Sequence, residues 1–182
     1  MKKIVIPDKT FNLYKEGLRT FVHIPRDETS QELKLSLKFG DKVNLINKVT
    51  NEEIEQTFWH AFSFKECDRF LILVFRWEAK DSLFYERRRR ARSLLGSNKI
   101  STTEYLPWLS DDQMYSRNML GSYSALFFVN LRVGLPGSTF CFVDKNEQKS
   151  EYYVVLNTLG LKTQKGSIFE VYSLFPLNLL HI

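Results

Sequence analysis

Residues Phe70-Leu71-Ile72-Leu73-Val74-Phe75 form an unbroken apolar run, and no other segment constrains the chain as strongly. Its length suits one strand of a sheet, and it is about a third of the ~20 residues a membrane helix needs. An extended segment that is apolar at both odd and even positions must be buried on both faces. The run reads as one buried strand, and the chain is expected to form a β-barrel or strongly curved sheet interrupted by a helical insertion. Other segments read as strands around it: 3–6, 19–24, the alternating 42–47, the aromatic-rich 56–64, and the apolar 125–133. Residues 139–143 and 152–156 flank a polar turn as in a hairpin, and 168–175 is a last strand before Pro176.

Helix signals are fewer. Asp8 can cap a helix over residues 9–16, with Gly17 where a C-terminus wants positive φ. Residues 25–38 read as a polar loop with at most a helical turn. Asp81 can cap a helix to about Leu95, closed by Gly96. Ser101 with Glu104, and Ser110 with Gln113, have capping-box spacing, which predicts a broken turn near Tyr105 and a short helix over 111–120. The expected fold class is mainly β (α+β), one domain over 1–182 with a helical insertion at about 78–122.

With 43 % hydrophobic and 14 % aromatic residues the chain can fill one core, which argues against disorder. Its net charge of +5 permits binding to phosphate backbones without demanding it. Cys67 and Cys141 lie far apart with no CxxC spacing, and read as free thiols or, alternatively, one buried disulfide. Two Cys and three scattered His do not suggest a zinc site, and no cofactor fingerprint is present. The N-terminus lacks the apolar region of a secretory signal, so the expectation is a soluble cytoplasmic protein with no membrane association.

Between Leu13 and Asn47 run Gly17-Leu18-Arg19-Thr20, then Arg26-Asp27-Glu28-Thr29-Ser30, then Lys38-Phe39-Gly40-Asp41-Lys42-Val43. In order and spacing this segment resembles the opening of ASCH domains, members of the PUA-like β-barrels. Those domains begin with a helix, a Gly-x-Lys-Thr turn, an Arg-containing strand and loop, and a Gly-Asp turn. The resemblance covers residues 13–47 and implies a PUA/ASCH-like barrel whose mouth receives nucleotides or RNA. Family members that hydrolyse acetylated cytidine use the Lys of that turn, a nearby Thr and a later Glu. Here Arg19 holds the Lys position and Val22 the Thr position. A guanidinium binds anions but stays protonated, so the resemblance implies a barrel without that chemistry.

The resemblance puts Arg19, Thr20, Arg26 and Lys42 at the mouth, with His23 in the adjoining strand. A fork donor, a hydroxyl and cations suit a phosphate or a base edge; the plainer reading is solvated cations with local carboxylate partners. Arg87, Arg88, Arg89, Arg90 and Arg92 are the densest charge cluster. Five arginines repel one another unless an anion or an acidic partner is near, and Arg88 and Arg92 share one helix face. A solvated helix partly neutralised by Glu78 and Glu86 is the alternative. Trp77-Glu78-Ala79-Lys80 has the Glu-x-Lys spacing of metal-dependent nucleases, with Asp68 the nearest second carboxylate. Of Phe58, Trp59, Phe62 and Phe64, most are expected in the core and one or two beside Arg19, able to stack a base. His60 reads as packed in a sheet, and His181 is terminal.

These features favour non-catalytic recognition of nucleic acid (RNA or DNA) or a nucleotide. The rivals are a phage or mobile-element protein that blocks a host factor through an acidic protein surface, and a small hydrolase of a modified nucleoside.

Overall fold

The structure is a computed structural model that describes residues 1–64, 68–78, 81–97, 103–106, 114–117, 123–129, 135–143 and 146–181. Strands β1 (Lys2–Ile6), β2 (Phe21–Pro25), β3 (Lys42–Asn47), β4 (Glu53–Phe62) and β5 (Phe70–Phe75) form one sheet in the order β1-β3-β4-β5-β2. Strands β6 (Thr103–Leu106), β7 (Met114–Arg117), β8 (Tyr123–Val129), β9 (Thr139–Val143), β10 (Lys149–Lys162) and β11 (Ile168–Pro176) form a second, ordered β6-β9-β10-β11-β8-β7. Among the described residues only β1–β3 and β6–β9 pair in parallel; the other ladders are antiparallel. Helices α1 (Asp8–Lys15), α2 (Glu28–Ser36) and α3 (Ser82–Ser97) complete the mainly β, α+β architecture. Among the described residues no ladder joins the sheets into a closed barrel.

The apolar run of β5 is buried on both faces, as its pattern requires. Leu71, Leu73 and Phe75 join Val22, Ile24, Val43 and Leu45 beneath Phe11 and Tyr14 of α1. Ile72 and Val74 turn the other way, joining Phe21, Leu161, Phe169 and Val171 between the sheets. Helix α3 packs Phe84 and Ala91 onto Val154 and Leu156 of β10 and Phe175 of β11, with Trp77 in the same cluster.

Three expectations need correction. Asp8 does not cap α1: it is the first helical residue after Pro7, and its Oδ1 accepts from Asn47 Nδ2 at 2.9 Å instead. Residues 25–38 contain a helix of nine residues, α2, closed by a reciprocal capping box between Asp27 and Ser30. Few apolar residues mark it, so its start is fixed by hydrogen bonds rather than periodicity. The helical insertion at 78–122 is helical only in α3 among the described residues. Thr103–Leu106 pairs in parallel with β9, and Met114–Arg117 pairs with β8. Capping-box spacing in segments this short does not outweigh a sheet edge that offers a full ladder, because isolated short helices are marginal. Within α3 itself the expected cap holds: Asp81 Oδ1 accepts from the Phe84 N–H at 2.6 Å.

Gly17 (φ +78°) ends α1 under α3 at a distance no side chain permits. A Cβ there would lie 2.6 Å from the backbone N of Arg87 and the backbone C of Glu86. Gly40 (φ +90°) has open space around it. Gly17→Ala should cost at least ~3 kcal/mol, from left-handed strain plus overpacking, against about 1 kcal/mol for Gly40→Ala. Urea unfolding of both variants checks the difference; similar losses would mean that α3 yields without cost.

Candidate functional site

The residues singled out from the sequence fall into three separate places. Arg19 and Thr20 enter the seam between the two sheets just before β2. Arg19 is 4 % exposed, and its Nε and Nη2 both donate to Asn157 Oδ1 of β10, at 3.2 and 2.8 Å. Its guanidinium also lies 5.2 Å from the Phe21 ring centroid. No carboxylate stands within ion-pair distance of it among the described residues, and burial lowers its pKa to about 10. Thr20 is fully buried, and its backbone N–H donates to Ser173 Oγ at 3.0 Å. β10 shifts register between Val155 and Asn157, next to the amide that receives Arg19.

His23 belongs to the same locality. Its ring lies edge-on to Phe70 with centroids 5.6 Å apart, and its buried Nδ1 has no hydrogen-bond partner. Desolvation and then the charge of Arg19 push its pKa down to about 4, so the imidazole is neutral near pH 7. Arg26 is exposed at the far end of β2. Lys42 is exposed on β3, where Nζ donates to Thr57 Oγ1 at 2.8 Å and lies 3.9 Å from Glu55. The seam thus gathers Arg19, Thr20 and His23, while Lys42 lines a separate cleft.

The arginine helix is largely spent on its own protein. Arg87 is 1 % exposed, with its guanidinium 5.1 Å from the Tyr14 ring centroid and 4.9 Å from that of Trp77. Arg88 lies over Tyr85 at 4.9 Å. Arg89 pairs with Glu86 at 2.8 Å. Arg90 Nε donates to the Glu16 carbonyl at 3.0 Å, at the C-terminal end of α1, and Arg92 donates to the Leu180 carbonyl. Of the five arginines expected to meet phosphates, Arg87 is the one the fold buries, where α3 crosses Gly17 at backbone contact.

Between the β3–β4 pair, the end of α1 and the first half of α3 lies a cleft of about 820 Å³. This is the volume of a pocket for a small organic ligand. Its walls carry Glu16, Glu52, Glu53, Glu55, Glu78, Asp81 and Glu86 against Lys15, Lys42, Arg76, Arg89 and Arg90. Each of those cations is paired with one of the carboxylates, from Lys15–Glu52 at 2.6 Å to Arg90–Glu16 at 3.9 Å. The carboxylates outnumber the cations, although the chain as a whole is basic. Sequence reading missed this cleft because its walls come from four separate elements.

Glu78 of the Glu-x-Lys motif lies 3.6 Å from Arg76 Nε, and Ala79 and Lys80 lie outside the described residues. No group of three or more His, Cys, Asp or Glu positioned for a metal occurs among the described residues. Phe58, Phe62 and Phe64 are buried, while Trp59 is half-buried against the exposed Phe39, ring centroids 4.7 Å apart. His60 is exposed on β4, edge-on to Phe62 at 4.5 Å. Cys141 is a buried free thiol, and Cys67 lies outside the described residues. No described helix is long and apolar enough to cross a membrane.

No protein-family model matches the chain, and neither a curated protein nor a solved structure matches it significantly.

The state of His23 has a measurable consequence. In the unfolded chain the imidazole takes its proton near pH 6.5, in the folded protein only near pH 4. The unfolded state therefore binds more protons across that window, and stability falls as pH drops from 6.5 to 4. The part due to His23 should be about 2 kcal/mol, reduced by its partial exposure. His23→Phe should flatten the unfolding free energy over that range by this amount; an unchanged pH profile would place the titration elsewhere.

Proposed function

We propose that the protein is a non-catalytic recognition module for a nucleotide or a short nucleic-acid segment, on a PUA/ASCH-like scaffold. The observation that carries this reading is the Arg19 guanidinium, held at the seam by a neutral amide with no carboxylate among the described residues to compensate it. A buried cation without a counter-ion is costly, and an arriving phosphate supplies the missing charge. Asn157 fixes the orientation of the guanidinium while leaving its charge uncompensated. The neutral imidazole of His23 adds a polar group suited to a base edge or a sugar hydroxyl. The order of α1, the Gly17 turn, β2 and the Gly40-Asp41 turn into β3 supports the scaffold relationship.

The internal contacts of Arg88, Arg89, Arg90 and Arg92 favour one or two phosphates at the seam over a long polyanion laid along the helix. The binding constant should then depend shallowly on salt, with a log–log slope near about −1 for one phosphate. A slope several times steeper would return the weight to Arg88, Arg89 and Arg92.

Asn157→Asp isolates the proposal from folding. The substitution keeps the shape of the amide and gives Arg19 an internal counter-ion, so thermal stability should hold or rise. Affinity for mononucleotides or short single-stranded oligonucleotides, measured by calorimetry, should fall at least ~10-fold, about 1.4 kcal/mol. Arg88→Glu with Arg92→Glu should change it less than about threefold. Equal affinity in wild type and Asn157→Asp would remove the seam from the reading. Absence of any nucleotide binding, with a protein co-purifying despite nuclease treatment, would replace it with the interaction-protein alternative.

A further inference from the structure

Arg87 differs from Arg19 in one chemically decisive way. The Nε–H and the neighbouring Nη2–H of a guanidinium form the side-on fork that matches two oxygens of a carboxylate or phosphate. In Arg19 that fork is closed on Asn157 Oδ1. In Arg87 it is open: Nε and Nη2 are both buried and both lack a hydrogen-bond partner among the described residues. Trp77, whose ring lies 4.9 Å from the same guanidinium, has its buried Nε1–H unpartnered as well. No described carboxylate forms an ion pair with Arg87.

Three buried donors on two touching side chains, one of them charged, are seldom left without an acceptor in a folded protein. The Tyr14 hydroxyl is in hydrogen-bonding reach of the guanidinium, and the faces of Tyr14 and Trp77 stabilise the cation, but the ring faces cannot accept the in-plane Nε–H and Nη2–H.

We propose that the Arg87 fork, with the Trp77 indole N–H beside it, is a binding site for a small oxyanion head group of the carboxylate or phosphate type. The proposed entry is the mixed-charge cleft: Arg87 does not itself line it, but its α3 neighbours Glu86 and Arg90 do, as does Gln56, whose Oε1 accepts from the Tyr14 hydroxyl at 2.6 Å. Carboxylate-rich walls on that route would turn away polyphosphates and admit a singly charged or amine-bearing molecule. This site is separate from the seam around Arg19.

The test uses the full chain with inorganic phosphate and acetate as probes, each against sodium chloride at equal ionic strength. Wild type should gain at least about 3 °C in Tm at 50 mM of one or both probes. A gain with phosphate alone assigns a phosphate-type head group, and a gain with acetate alone a carboxylate; either supports the site. Arg87→Lys keeps the charge but has no fork, and should lose the gain. Trp77→Phe keeps the ring face without the N–H, and should reduce it severalfold even if Arg87→Lys fails to fold. Asn157→Asp removes whatever the seam contributes to the phosphate response; the gain that remains in that background belongs to this site and should be lost when Arg87→Lys or Trp77→Phe is added to it. The proposal is overturned if chloride stabilises equally or if both Arg87→Lys and Trp77→Phe respond like wild type. Crystals soaked in both probes that show only ordered water at the fork overturn it too.

Discussion

The seating of Arg87 between Tyr14 and Trp77 is the contact on which the arrangement of this protein turns. It brings together α1, the end of β5 and α3, and through Trp77 it reaches Phe175 of the second sheet, whose ring lies 5.7 Å away. The guanidinium reaches that place only because α3 crosses the end of α1 at Gly17, where a Cβ would collide with the helix backbone. A charged side chain at the centre of such a junction exchanges hydration for aromatic faces, a trade that succeeds only when both faces are in place. The junction is therefore cooperative: loss of the glycine, either ring or the cation loosens the other contacts.

A second buried arginine performs the corresponding task between the sheets. Arg19 bridges the start of β2 to β10, while the Thr20 backbone N–H is bound to Ser173 of β11. These polar contacts sit at the edge of an otherwise apolar interface of Phe21, Ile72 and Val74 against Leu161, Phe169 and Val171. Apolar burial supplies most of the adhesion there, and the hydrogen bonds set how the sheets are placed against each other. Both arginines lack a carboxylate partner among the described residues. They differ in that one fork is occupied by an amide and the other is empty.

The charge pattern of the surface acquires a different meaning in three dimensions. The run Arg87 to Arg92 looks like a uniform basic patch in one dimension. Folded, it divides into a buried cation, an aromatic-stacked one, an intrahelical pair and two donors to backbone carbonyls. Meanwhile the cleft beside α3 collects an excess of carboxylates in a chain of net charge +5. Net charge consequently says little here about the potential at a particular site.

The sequence by itself determined the strand-rich class, because the run Phe70–Phe75 and the alternation of 42–47 permit few other conformations in water. It also located the turns at Gly17 and Gly40, where positive φ leaves little choice of residue, and the Asp81 cap of α3. What it could not contain was partnership between distant residues. Arg19 with Asn157, Arg87 with Trp77 and Tyr14, and the cleft walls all depend on which elements pack together. So does strand formation at 103–106 and 114–117, where the ladder comes from β9 and β8 rather than from local preference. Backbone preference and hydrophobic periodicity are local and can be read along the chain. Burial of a charge and the identity of its partner are properties of the packed molecule, decided only when the sheets and helices close around it.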